Sequence, residues 1–92
     1  MIEFEWDATK AESNLRKHGV PFPYATGVFD DPQRRDHPDT RRRYGEQRRI
    51  VVGMIEDRVY VVAYTWRHTR IRLISARKAN DRESRAYHTL SA

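Results

Sequence analysis

The side chains able to do chemistry in this chain are cationic or hydroxylic, and none is a thiol. There is no cysteine, four histidines (His18, His37, His68, His88) are scattered, and fifteen arginines stand beside three lysines. Lack of cysteine excludes disulfide scaffolds, thiol catalysis and cysteine zinc sites. No histidine pair has metalloprotease spacing, and Asp36, His37 and Asp39 alone offer metal-ligand types together, in a proline-flanked loop. Glycine-rich phosphate loops and the G-x-S-x-G elbow are missing. What remains is chemistry that needs cations, hydrogen-bond donors and a proton acceptor. Cleavage of RNA without a metal or cofactor fits. The ribose 2′-OH is the nucleophile, so protein groups take its proton, neutralise the phosphorane and protonate the leaving 5′-oxygen. Arginine serves the second need; glutamate, histidine or tyrosine serves the others.

Charge is unevenly spread. Residues 1–40 carry a net −3 and residues 41–92 a net +8, for a total of +5 over 92 residues. Arginine grips phosphate oxygens two at a time, so an arginine-rich basic half suggests a nucleic acid partner. Ten aromatics argue for a packed core in spite of 34% charged residues. The length suits one domain over 1–92. The acidic N-terminus does not resemble a secretory leader, and the longest apolar run, 59–64, is too short for a bilayer, so a cytoplasmic protein without a membrane partner is expected.

These groups need a scaffold, and the pattern supplies one. Ile2, Phe4 and Trp6 alternate with Glu3 and Glu5 as in a short half-buried strand. Asp7 suits a helix N-cap and Gly19 its left-handed end, with Ala8, Ala11, Leu15 and His18 on the inner face. Pro23 opens a shorter helix with Tyr24, Ala25, Val28 and Phe29 inward. The stretch 30–46, with its Arg41-Arg42-Arg43 run, lacks periodicity and either hides an edge strand or is a mobile functional loop. Strands are predicted over 50–55, 59–66 and 71–76, joined by hairpins at Glu56-Asp57 and His68-Thr69. The first two are apolar on both faces, as central strands covered by helices would be. Asn80 and Glu83 read as a capping box for a final helix with Ala79, Glu83, Ala86, Tyr87 and Leu90 inward. The expectation is an α+β fold: a short N-terminal strand, two helices, an antiparallel sheet of three to four strands and a C-terminal helix. Trp6 reads as core, and Trp66 as packing unless exposed, when it could stack a base.

The meander separates two basic groups. Glu46, Arg48 and Arg67 fall at one end of the sheet, and Arg58, Arg77 and Lys78 at the other, roughly 25 Å away at ~3.3 Å per residue. Each arginine also reads as a plain edge-strand charge or surface ion pair, His18 as a helix-end cation and Tyr87 as packing.

Residues from end to end resemble one known family. Phe4-x-Trp6-Asp7-x-x-Lys10, Asn14-Leu15-x-Lys17-His18-Gly19-Val20-x-Phe22 and Ala25-x-x-Val28-Phe29-Asp30 are similar to the N-terminal half of BrnT toxins. Gly45-Glu46-x-Arg48, Gly53, Tyr64-Thr65-x-Arg67, the run Arg70 to Ala79, Glu83 and Tyr87 are similar to the C-terminal half; His68 and Thr69 stand where the family often has Gly-Asp. The resemblance implies a RelE-like fold and a translation-stopping ribonuclease, neutralised by a BrnA-like antitoxin that carries the contact to operator DNA. It emphasises Glu46, Arg48 and Arg67, whereas analogy with RelE-like toxins places Arg58, Arg77 and Lys78 in the cleft.

The expectation is therefore a metal-independent endoribonuclease toxin. Arg77, Arg67 and Arg48 would hold the scissile phosphate, Glu46 or His18 would act as base, and Tyr87 would donate a proton. Arg58, Arg70, Lys78 and Lys17 would bind the rest of the RNA. The rival readings are a non-catalytic nucleic-acid-binding module and a protein-binding adaptor.

Overall fold

The computed structural model describes residues 1–41, 43 and 45–91; Arg42 of the arginine run lies outside them. Its elements follow the chain as β1 (Glu3–Trp6), α1 (Ala8–His18), α2 (Phe22–Ala25), a 3-10 helix (Thr26–Asp30), β2 (Arg35–Pro38), β3 (Arg48–Ile55), β4 (Arg58–Arg67), β5 (Arg70–Lys78) and α3 (Asp81–Ser91). None of the described helices is long and apolar enough to cross a membrane.

The α+β class holds, but the sheet is larger and mixed. Five strands lie in the order β1-β5-β4-β3-β2. β2 through β5 pair antiparallel, while β1 runs parallel to β5 with Phe4 opposite Ile71. The stretch 30–46 does hide an edge strand, which charged residues kept out of the hydrophobic pattern. Both hairpins close on two-residue turns, with Glu56 and His68 in the left-handed region at φ 57°.

Caps form where the side chains direct them. Asp7 accepts from the Lys10 N–H at 3.0 Å, and Gly19 ends α1 at φ 72°. Asn80 and Glu83 exchange hydrogen bonds at 2.8 and 2.9 Å, so the capping box is real.

One sheet face carries the core. Val51, Tyr60, Val62, Tyr64, Ile71, Leu73 and Ala76 pack beneath Val20, Phe22, Ala25 and Val28. Gly53 permits this approach: a Cβ there would lie 3.0 Å from the Val28 carbonyl oxygen. Trp6 sits partly buried, edge-on to Phe22.

Three inward faces differ from expectation. In α1 the buried residue is Asn14, 6% exposed, while Leu15 is 47% exposed. β1 stops opposite Leu73, leaving the outer edge of β5 beyond it without a strand. Asn14 fills that gap. Its amide donates to the Ala76 carbonyl at 2.8 Å and to the Val20 carbonyl at 3.1 Å, and its oxygen accepts from the Ala76 N–H at 3.0 Å. Trp66, read as packing, is 47% exposed at the far end of β4, edge-on to Tyr64. Leu90, read as inward on α3, is 62% exposed. The helices α1 and α2 cover one face of β3 and β4, and on the other face Val59, Val61 and Ala63 are buried as well, so β4 is enclosed on both sides as expected.

Candidate active site

The sheet face away from α1 and α2 is organised in cross-strand rows. Arg77 of β5 lies opposite Val61 of β4, which lies opposite Val52 of β3 and then Arg35 of β2. The next row runs Ser75, Ala63, Ile50 and His37. Partners in a row share a face, so Arg77 and Arg35 flank a floor of small aliphatic side chains about 14 Å wide at ~4.8 Å per strand. This floor and its rim line a groove of about 850 Å³.

Helix α3 walls the groove through polar ties. Its Glu83 accepts two hydrogen bonds from Arg77, at 2.7 and 2.8 Å. Tyr87 donates its hydroxyl to Asp31, and Arg35 donates to the Leu90 carbonyl. Asp31 also accepts from the Met54 and Gln33 N–H groups at 2.8 and 2.9 Å. The helix therefore crosses from β5 to β2, with Glu83 at one flank and Leu90 at the other.

These contacts set the protonation states. The Arg77 fork holds the Glu83 carboxyl below its usual range, and Glu83 raises Arg77 in turn. Burial by itself would raise Asp31, but hydrogen bonds from Tyr87, Met54 and Gln33 outweigh it and lower the value. Burial, then the Asp31 contact, pushes Tyr87 up to about 12. On the core face, Asp36 accepts from Arg49 at 2.7 Å and from the Tyr64 hydroxyl, which burial and Asp36 together push to about 12.

Arg77, His18 and Tyr87 come together at this groove. Arg48 and Arg67 do not. They stand at the other end, 3.9 and 3.6 Å from Glu46, with Arg70 opposite Arg67 and paired to Glu3 at 3.2 Å. Register puts Arg48, Arg67 and Arg70 on the same sheet face as Arg77, so one face carries both groups. Six residues of β4 separate them, about 20 Å. Arg58 and Lys78 lie exposed near the Glu56-Asp57 turn, and Lys17 lies exposed in the last turn of α1. The three metal-ligand candidates part company. Asp36 binds Arg49, and Asp39 binds Arg41 at 2.8 and 2.9 Å, leaving His37 of the three on the groove row.

A family model described as the ribonuclease toxin BrnT of type II toxin-antitoxin systems matches residues 6–83. The chain belongs to the BrnT family. No curated protein matches it. Membership makes it a ribonuclease toxin of the type II class, which implies an antitoxin partner and an RNA substrate. The matched span takes in Arg77 and Glu83 and ends before Tyr87.

Sequence reasoning missed Arg35 and His37 as groove residues. Their alternation about Asp36 was the available signal, but a strand with exposed charges shows no hydrophobic period. It also missed that Glu83 binds Arg77, because the capping box accounts for that carboxylate without tertiary contacts.

Proposed function

We propose that this BrnT family member cleaves RNA at the groove around Arg77 without a metal ion, within a RelE-like fold. The observation that carries the reading is that Arg77, Arg35 and two imidazoles line one groove. Arg77 is held on one side by Glu83, while its Nε donates to no described residue and is left for a phosphate oxygen. A guanidinium so fixed needs little reorganisation as charge develops on phosphorus. The Tyr87 hydroxyl is held in a hydrogen bond to Asp31, so the geometry favours a structural part for it over proton donation. Arg48, Arg67 and Arg70, with Glu46 between two of them, extend the basic face toward the flanking RNA. Arg58, Lys78 and Lys17 add long-range attraction. A BrnA-like antitoxin would cover this face and supply the contact with operator DNA.

The test is cleavage of RNA by the purified toxin in EDTA, free and on translating ribosomes. A 2′,3′-cyclic phosphate beside a 5′-OH is the expected product. RNA that is bound but stays intact on both substrates would select the non-catalytic binding module instead.

A further inference from the structure

Two histidines share the groove with Arg77. His18 ends α1, and His37 occupies the β2 position of the row that runs through Ile50 and Ala63 to Ser75. Neither ring makes a hydrogen bond to a described residue, and both side chains are exposed. The carboxylates and the tyrosine lining the groove are committed, Asp36 to Arg49 among them. Glu83 is gripped by Arg77, Asp39 by Arg41, and the Tyr87 hydroxyl by Asp31. Arg35 donates to the Leu90 carbonyl, and a guanidinium offers donors only.

Metal-free RNA cleavage needs two proton transfers near one phosphate. One group takes the 2′-OH proton as the 2′-oxygen bonds to phosphorus. A second gives a proton to the 5′-oxygen as the phosphorus–5′-oxygen bond breaks. The products are a 2′,3′-cyclic phosphate and a free 5′-hydroxyl, with no net gain or loss of protons. Imidazole suits either task near neutral pH.

We propose that His37, two positions from Arg35 on β2, is a catalytic residue that performs one of these transfers. This rests on the nuclease reading above. β2 is an edge strand exposed throughout and His37 is exposed on it, so replacing that side chain leaves the fold intact.

The experiment compares wild type, His37→Asn, His18→Asn and Arg35→Gln on an RNA oligonucleotide and on messenger RNA in translating ribosomes. Wild type should give a bell-shaped dependence of kcat/KM on pH. His37→Asn should lose one limb of that profile and at least 100-fold in kcat, with RNA affinity within threefold and an unchanged melting temperature. His18→Asn, at the β5 flank three strands from His37, should keep both limbs. Arg35→Gln should weaken affinity and keep both limbs. A His37→Asn enzyme that keeps both limbs, or stays within threefold of wild-type kcat, overturns the assignment while leaving the nuclease reading in place. Failure of wild type to cleave either substrate overturns both.

Discussion

Glu83 binds Arg77 through both carboxylate oxygens while one of those oxygens also accepts from the Asn80 N–H. One side chain thus starts α3 and aims the groove's central guanidinium. Replacing Arg77 by Ala should lower RNA cleavage at least 100-fold. Arg77→Lys should restore little of it, since an ammonium cannot fork across two oxygens. Glu83→Gln keeps a cap and one acceptor, so cleavage should fall only a few-fold, with about 0.5–1 kcal/mol lost in urea denaturation. Equal losses in the Arg77 and Glu83 variants would show that the pair serves folding alone.

The far end of the sheet should behave differently. Arg67 meets Glu46 at 3.6 Å with half of its side chain exposed, a geometry that adds little stability. Arg67→Ala should change stability by less than about 0.5 kcal/mol and leave kcat near wild type. It should weaken RNA binding and flatten its salt dependence, because one phosphate contact is gone. A collapse of kcat would move the chemistry to that end.

Asn14 stands in for a missing strand, so Asn14→Ala would leave the Ala76 N–H and two carbonyls unpaired in a buried place. The expected loss is about 2–4 kcal/mol in chemical denaturation. Leu15→Ala, one position along and half exposed, should cost under about 1 kcal/mol.

Gly53→Ala should destabilise by about 1–3 kcal/mol, since its Cβ would press on the Val28 backbone oxygen and Cβ at 3.0 and 3.1 Å. Gly45→Ala meets nothing within 4 Å and pays only for its left-handed φ of 77°, about 1–2 kcal/mol. A crystal structure of each variant would show the β3 backbone shifted in the first case and unmoved in the second.

Stability should fall at both extremes of pH. Asp31 and Glu83 ionise more readily folded than unfolded. Their contribution is therefore present above the ordinary carboxylate range and disappears as pH drops through the lowered folded values. Tyr64 and Tyr87 are held neutral up to about 12, so their contribution is full below 10 and lost as pH rises toward 12. Asp31→Asn should flatten the acid limb of a melting-temperature profile. Tyr87→Phe should flatten the alkaline limb.

Much of this protein is written in local pattern. The three long strands, their two-residue turns, the Asp7 cap, the Gly19 stop and the Asn80–Glu83 box depend on neighbours a few residues apart, and each was legible in order. The separation of Arg67 from Arg77 followed from strand length and antiparallel pairing. Tertiary structure decided the rest. Whether β1 joined the sheet depended on β5, 67 residues away in the Glu3–Arg70 pairing. Asn14 turned inward because that pairing ended at Leu73, and no helical period encodes a vacancy on another strand. Arg35 and His37 became groove residues through their register with Val52 and Ile50. Which arginines share a groove is a matter of which strands lie side by side and which face α3 crosses, and that is settled only when the sheet forms.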